Sequence, residues 1–403
     1  MTGFAPRLLW PESEAELRRE LLRIGVAPPD AAQLAADSTW RLIRLSAVPV
    51  RLVALLRREM QAIGGELAAL SAPADAADVI LAGTLPALAL LRERLSAKSG
   101  MAAALAAELS ILLNNLESPP GYLAGRNCRL SLDRPRIMGI LNVTPDSFSD
   151  GGCYSSLECA LRRGLELAAE GADIIDIGGE STRPGAALVG LQEELDRVAP
   201  VIEALSRETS IPLSIDTSKA AVARAAVAAG AEFVNDISGL QFDPDMAETV
   251  AATGAGLFLM HTRGRPEQMQ QDTAYADLLG EVADSLREGI ERAASAGVPL
   301  EKIAIDPGIG FGKSVEGNLE ILRRLPELKS LGHPVLLGTS RKSFIGRIID
   351  QIDPQQRLAG SLATVALGVQ RGALIFRVHD VRPSREAALM AWAICRGAKS
   401  GTD

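Results

Sequence analysis

The stretch Asp306-Pro-Gly-Ile-Gly-Phe-Gly-Lys-Ser314 decides the fold of this chain. It follows a short apolar run, Ile303-Ala-Ile305, that reads as a buried strand closed by a carboxylate. Gly308, Gly310 and Gly312 alternate with Ile309 and Phe311. Glycine reaches positive φ without penalty and lets backbone approach a neighbour closely. Phe311 is therefore expected on a mobile or tightly turned loop beside an acid. Beyond Ser314, the residues Val315, Leu319, Leu322 and Leu325 recur at helical spacing. Strand, acidic strand end, glycine loop and helix form one unit of a repeating α/β architecture. Taken alone, the same residues also suit a glycine-rich turn before a serine-capped helix.

Working outward, the unit recurs. Short β-type runs alternate with helical segments, giving strands expected at Ile137–Val143, Asp173–Gly178, Pro212–Asp216, Glu232–Ile237, Gly256–His261, Ile303–Asp306, Val335–Thr339 and Ala373–His379. Their apolar runs are nearly continuous, as in parallel strands covered by helices. Helices are expected between them, as at Leu157–Glu170, Lys219–Ala229, Leu278–Ala296 and Arg385–Ala393. Eight such units over roughly 270 residues match a (β/α)8 TIM barrel, with a doubly wound open sheet as the alternative. A barrel collects its chemistry at the C-terminal strand ends. Asn142, Asp176, Asp216, Asn235, His261, Asp306, Lys342 and His379 all fall at or just beyond such ends. One aspartate there is commonly a helix cap; eight polar ends pointing one way are not.

Residues 1–125 have a different rhythm. Ser13 and Glu16 make a capping-box start. Trp40–Leu45, Glu66–Leu70 and Asp78–Ala82 read as strands; Val50–Ile63, Leu85–Leu95 and Met101–Leu116 read as helices. This is a small α/β domain without an acid–histidine or glycine–lysine constellation, so an accessory role is expected: structural, regulatory or in assembly. Ser118-Pro-Pro-Gly-Tyr122 is the linker. The expected organisation is an accessory domain at 1–125 and the barrel at 126–403.

The 403 residues are 47% hydrophobic with a net charge of −8, a globular balance that disfavours a general nucleic-acid binder. The four cysteines, at 128, 153, 159 and 395, lack Cys-x-x-Cys spacing, so neither a zinc site nor a disulfide framework is expected. The start lacks a signal-peptide pattern and no transmembrane run of about 18 apolar residues is present. A cytoplasmic protein is expected.

The strand-end groups divide by charge. Arg183 in Ser181-Thr-Arg-Pro-Gly185, Lys342 in Ser340-Arg-Lys-Ser343, and Arg377 with His379 suit an anion such as phosphate. Asp216, Asn235 and Asp306 are directional acceptors that need donors when buried. A flat heterocycle with adjacent N–H groups, such as a 2-amino-4-oxo-pyrimidine edge, supplies them. The loop Val143–Gly152 is polar and glycine-ended with one aromatic, Phe148, as suits a loop closing over substrate. Asn142 at its root, and Asp150 if the loop folds in, offer hard oxygens for Mg²⁺.

These motifs resemble the dihydropteroate synthase family. Met138–Gly152 is similar to its first signature and Asp173–Gly185 to its second. Ser214-Ile-Asp-Thr217, Asn235-Asp-Ile-Ser-Gly239, Leu259-Met-His261, Asp306–Lys313, Gly338–Ser343 and Arg377-Val-His-Asp380 continue the resemblance in order, over about residues 128–403. It implies a barrel, dimeric through C-terminal helices. It also implies joining 4-aminobenzoate to 6-hydroxymethyl-7,8-dihydropterin diphosphate, giving 7,8-dihydropteroate and pyrophosphate. Asp216, Asn235 and Asp306 would hold the pterin, with Met260 in the substrate site and Lys342 on the ring side. Arg377, His379 and Asn142 would take the diphosphate with Mg²⁺, and Asp150 would join the catalytic set. Arg183, Thr182, Pro184, Phe148, Phe311 and Ser343 would surround the aminobenzoate. The implied chemistry is an SN1-like substitution. A methyltetrahydrofolate:corrinoid methyltransferase shares the Asp/Asn grip but does not need Arg377-Val-His379 or Ser340–Ser343. A non-catalytic pterin binder is the other alternative; the intact Asn142, Asp216, Asp306, Lys342 and His379 argue against it.

Overall fold

The computed structural model describes residues 9, 11, 13–69, 75–144, 156–181, 188–266 and 268–396. The chain divides into two compact units, Met1–Glu117 and Ser118–Asp403.

The first unit runs α1 (Glu14–Arg23), α2 (Pro28–Asp37), β1 (Trp40–Pro49), α3 (Val50–Ala62), β2 (Glu66–Ala69), β3 (Ala76–Thr84), α4 (Leu85–Ser96) and α5 (Met101–Glu117). Its sheet is antiparallel with β3 in the middle. The Ser13 hydroxyl caps α1 by accepting from the Glu16 N–H at 3.2 Å. One apolar cluster joins Ile43, Val79 and Leu81 of the strands to Leu56, Met60, Leu88, Leu91, Leu95, Leu109 and Leu113 of the helices. Helix α2 was not expected from sequence. It buries only Ala31 and Ala35, and alanine carries little hydrophobic period.

The second unit opens with a hairpin, β4 (Tyr122–Ala124) and β5 (Arg129–Ser131). The barrel strands follow: β6 (Arg136–Asn142), β7 (Ile174–Gly178), β8 (Leu213–Asp216), β9 (Phe233–Asp236), β10 (Gly256–Met260), β11 (Ile303–Asp306), β12 (Leu336–Leu337) and β13 (Ile375–Val378). Their order is β11-β10-β9-β8-β7-β6-β13-β12. A parallel bridge between Ile305 and Val335 joins the two ends, so the sheet closes and the open-sheet alternative falls. The helices α6 (Ser156–Ala169), α7 (Leu191–Glu208), α8 (Ala220–Ala229), α9 (Met246–Thr253), α10 (Leu278–Ser295), α11 (Val315–Arg324), α12 (Ser343–Ile348), α13 (Leu358–Gln370) and α14 (Val381–Arg396) lie between and after the strands. β12 is shorter than expected because the chain turns after Gly338, with the Lys342 N–H bonded to the Thr339 carbonyl at 3.2 Å.

Strand side chains alternate between faces. Ile175, Ile177, Ile215, Val234, Leu257, Ile305 and Phe376 belong to the large cluster shared with the helices. Met138, Ile174, Phe233, Phe258, Ala304, Leu336 and Ile375 form a separate cluster with Leu123, Leu130 and Leu132. The hairpin therefore seals the floor of the barrel. Each fully buried leucine contributes about 1.5–3 kcal/mol. Cys159 is disulfide-bonded, a link the cysteine spacing did not suggest. Among the described residues no helix is long and apolar enough to cross a membrane.

Candidate active site

Above the apolar floor the same strands turn polar. Asp176 of β7, Ser214 and Asp216 of β8, Asn235 of β9 and Asp306 of β11 are all buried. The ladders set Asp176 opposite Ser214, and Asp216 opposite both Gly178 and Asn235. Arg377 of β13 completes the group. Its Nε donates to Asp176 Oδ2 and its Nη2 to Asp216 Oδ2, each at 2.6 Å. Asn235 Nδ2 donates to the same Asp176 oxygen at 3.0 Å. Gly178 leaves room here: a Cβ on it would stand 3.5 Å from the Asp216 Cβ and 3.9 Å from Asn142 Oδ1.

The polar mouth is incompletely satisfied. Among buried side-chain atoms of the described residues, Asp176 Oδ1, Ser214 Oγ and Asp216 Oδ1 have no hydrogen-bond partner in the protein. An unmet buried acceptor costs about 1–3 kcal/mol, a cost that a ligand presenting adjacent N–H groups removes. Burial pushes the Asp216 carboxyl up to about 7, with the Arg377 guanidinium opposing. Burial also raises Asp306, opposed by Lys342 and by the Gly308 N–H, which donates to Asp306 Oδ1 at 2.7 Å. Lys342 is lowered to about 8, again by burial.

The glycine turn after β11 brings Lys342 and Phe311 together. Gly308, Gly310 and Gly312 have φ of 68°, 83° and 63°, the left-handed region that glycine tolerates. A Cβ on Gly308 would lie 1.9 Å from the His261 carbonyl oxygen, so the turn is tight rather than mobile. Lys342 Nζ donates to the Ile309 carbonyl and stands 4.7 Å from the Phe311 ring centroid, a cation–π arrangement. Phe311, Met260, Met269 and Ile237 form a small apolar cluster of their own.

Arg341, just before Lys342, has φ of 58°, uncommon for a non-glycine residue. Three partners hold it. Asp380 accepts from Nε at 2.9 Å and from Nη2 at 2.6 Å. The Ser361 hydroxyl accepts from its N–H at 2.9 Å, and Arg357 donates to its carbonyl at 2.9 Å. This fixes where Lys342 and Ser343 begin α12. The Ser340 hydroxyl lies 3.1 Å from His379 Nδ1 and accepts from the His379 N–H at 3.2 Å.

The structure thus brings together Asp216, Asn235, Asp306, Arg377 and Lys342, with Phe311 beside Lys342. Asn142 ends β6, Ser343 is exposed at the first turn of α12, and His379 follows β13. Phe148, Asp150, Thr182, Arg183 and Pro184, and most of the loop expected to close over substrate, lie outside the described residues. Sequence reasoning put Asp176 among the strand ends but not in the site. It also left Ser214 and the Arg341–Asp380 pair unassigned. Alternation gave the available signal for the first two: Asp176 shares its face with Gly178, and Ser214 with Asp216.

Residues 138–379 match the family model described as pterin binding enzyme. The chain belongs to that family. It is 51% identical over 263 residues to the dihydropteroate synthase of Synechocystis sp., covering 65% of this chain and 91% of that protein. A solved structure, the Xanthomonas albilineans dihydropteroate synthase with 4-aminobenzoic acid, superposes with a TM-score of 0.65 at 48% identity, covering 69% of this chain and 99% of that one. A Halobacterium salinarum protein described as "Probable bifunctional folylpolyglutamate synthase/dihydropteroate synthase" is 39% identical over 390 residues. That match covers 96% of this chain, and so reaches through its first unit, and 47% of that protein. Within the family, the function that these relatives and the barrel support is that of a dihydropteroate synthase, a transferase of folate biosynthesis.

Proposed function

We propose that the mouth of the barrel binds 6-hydroxymethyl-7,8-dihydropterin diphosphate through Asp216, Asn235 and Asp306, and joins it to 4-aminobenzoate held near Phe311, Met260 and Ser343. The observation that carries this assignment is the set of unmet buried acceptors beside Arg377. They are arranged for a flat ligand with several N–H donors, and a hydrophobic ligand would leave them unpaired.

The reaction breaks the bond from the pterin methylene carbon to the diphosphate oxygen, and the electron pair leaves with the oxygen. The carbon's positive charge spreads into the electron-rich ring, where ionised Asp216 and Asp306 favour it. The aniline nitrogen attacks as a neutral nucleophile and then loses its proton to solvent, so no strong general base is required. Arg377 has five N–H donors. Two are committed to Asp176 and Asp216, which leaves donors for ligand oxygens, with His379 beyond the strand end.

The fit to Mg²⁺ is of one kind only. Among the described residues no group of three His, Cys, Asp or Glu side chains could hold a metal. Asn142 offers a single neutral oxygen at the end of β6. That suits an ion arriving on the diphosphate, since Mg²⁺ uses few protein ligands plus substrate phosphates. When bound, it would neutralise charge on the leaving diphosphate.

A homodimer through the last helices is supported by Leu367 of α13 and by Met390 and Ile394 of α14, which are 53%, 63% and 70% exposed. Met390 and Ile394 are spaced to share one helix face. The first unit is an accessory of the synthase, a reading supported by the similarity to the Halobacterium protein through nearly the whole chain. Because a charged diphosphate does not cross a bilayer unaided, the working location is the cytoplasm.

The test is a product assay on the full chain with the pterin diphosphate, 4-aminobenzoate and Mg²⁺. Release of pyrophosphate and dihydropteroate is expected. Tight pterin binding without product would favour a non-catalytic binder, and corrinoid-dependent methyl transfer would favour a methyltransferase.

A further inference from the structure

The least expected buried group in the barrel is Lys313, which is 3% exposed. Its Nζ lies 2.8 Å from His261 Nδ1, 2.9 Å from the Gly308 carbonyl and 2.8 Å from the Phe311 carbonyl. An ammonium has three donors, and three acceptors meet it. None of these partners is a carboxylate. Burial, opposed by the nearby Asp306 carboxylate, lowers the lysine to about 7; burying such a group is costly, and a methionine of similar length would fill the space at lower cost. The lysine is there for what it hydrogen-bonds.

We propose that Lys313, acting with His261, is a positioning residue for the reaction: it fixes the Pro307–Gly312 turn and thereby places the Phe311 ring and the Ile309 carbonyl against Lys342. This rests on the reading of Phe311 and Lys342 as substrate-contacting groups.

The turn needs such a pin. With φ positive at residues 308, 310 and 312, it cannot continue a helix or a strand ladder, and its carbonyls must find other donors. The Phe311 N–H reaches back to the Gly308 carbonyl at 3.1 Å, and side chains reach the carbonyls of residues 308–312. Lys313 takes Gly308 and Phe311, Lys342 takes Ile309, Gln270 Nε2 donates to Gly310 at 2.8 Å, and the Tyr275 hydroxyl donates to Gly312 at 2.9 Å. Among the described residues only the Lys313 side chain bonds two of these carbonyls, and they bracket the Ile309-Gly310 segment. It also ties the turn to His261, 52 residues away at the end of β10. Burial and the neighbouring Lys313 hold the His261 ring down to about 3. The ring is then neutral, and with its proton on Nε2 it presents Nδ1 as the acceptor the lysine needs.

The experiment uses the full chain and the variants Lys313→Met, Phe311→Ala and the double variant, each checked for fold by circular dichroism. Of the pterin grip, Asp216 and Asn235 stand on β8 and β9 and only Asp306 meets the turn, through the Gly308 N–H, so Lys313→Met is expected to bind the pterin diphosphate within about threefold of the parent. Its KM for 4-aminobenzoate should rise about tenfold or more, because a small misplacement of a positioned group carries a large rate penalty. With Phe311→Ala already present, Lys313→Met should cost no more than about a further threefold, because the two act through one element. A Lys313→Met enzyme with a parental KM for 4-aminobenzoate overturns the proposal, as do fully multiplicative losses in the double variant. So does a fall in kcat alone that tracks the folded fraction. Should Lys313→Met fail to fold, Lys313→Gln keeps an amide NH2 with two donors and is read by the same KM split. Failure of both to fold assigns the lysine to the fold and overturns the positioning role. Absence of product from the parent chain would instead overturn the assigned reaction.

Discussion

The floor and the mouth of the barrel are built from the same strands, often two residues apart. On β7, Ile174 faces the floor and Asp176 the mouth; on β9, Phe233 and Asn235 divide in the same way. The floor is apolar, sealed by the β4–β5 hairpin and complete in itself. Among the described residues the mouth holds buried carboxylates, the Arg377 guanidinium and three buried polar atoms without partners. One end of each strand therefore contributes to stability, while the other gives some of it up to hold a ligand. If that division is real, substitutions at the two ends should move different observables.

The largest separation is expected from Asp216→Asn. The side chain keeps its shape but turns one acceptor oxygen into a donor facing the ligand's own donors. A site built to hydrogen-bond a ligand rejects a mismatch strongly, so kcat/KM should fall about a thousandfold or more. Thermal stability should stay level or rise, because a buried acidic group has been replaced by a neutral one. A melting temperature that falls in step with activity would merge mouth and floor into one structural unit.

Phe233→Ala is the counterpart at the floor. Phe233 is fully buried, with its ring centroid 5.3 Å from that of Phe258. The cavity should cost about 3–5 kcal/mol of unfolding free energy. Activity per folded molecule, measured well below the midpoint, should stay within about twofold of the parent, since the ring belongs to the floor cluster. Denaturant unfolding and steady-state kinetics on one preparation decide it.

How much of this division could be seen in the sequence depends on the length and contrast of each signal. The barrel was legible because its eight strands are apolar runs ending in polar residues, and Asp216, Asn235, Asp306 and Arg377 stand where each run stops. Asp176 was harder to assign. Strands covered on both faces read as continuous hydrophobic runs, so a single inward acid looks like an edge. The floor hairpin has strands of three residues, too short to show a period. The burial of Lys313 had no signal in the sequence, because it is made by His261 and by carbonyls whose direction depends on three left-handed glycines. Arg341 takes a left-handed turn with no glycine to announce it. It is held by Asp380, Ser361 and Arg357, none of which is its neighbour in sequence.

Acidity offers a third way to pull the two ends apart. Burial pushes Asp216 up to about 7 and Lys342 down to about 8. Below about pH 7 Asp216 protonates and loses an acceptor; above about pH 8 Lys342 loses its charge. The plot of kcat/KM against pH should be a narrow bell between those limbs, falling up to about tenfold per pH unit outside them, because this parameter reports groups of the free enzyme. Stability should run the other way on the acid side. The folded state holds the Asp216 proton more tightly than the unfolded chain, whose carboxyl has the ordinary value of 3.8. The group's contribution is therefore fully present below about pH 4 and is lost as pH rises through about 7. Subtracting the stability profile of Asp216→Asn from that of the parent isolates this slope. A flat difference between pH 4 and 7 would mean that Arg377 keeps the carboxylate ionised throughout.

The smallest expected effect gives the finest probe of the mouth. Gly178→Ala would place a methyl group between Asn142 and Asp216, with its nearest neighbour 3.5 Å away. That is ordinary van der Waals contact, and the φ of Gly178 is not in the left-handed region. The fold should accept it within about 0.5 kcal/mol, as for a substitution without a steric or polar fault. The methyl nevertheless enters the space that separates the proposed metal-side oxygen from the pterin-side carboxylate. A ligand crossing from one to the other should lose affinity by about three- to tenfold, while a free pterin lacking the diphosphate should lose less. Titration calorimetry with both ligands measures the difference. Equal losses would place the methyl against the ring rather than against the path to the diphosphate, and would shift the boundary between the two halves of the site toward Asn142.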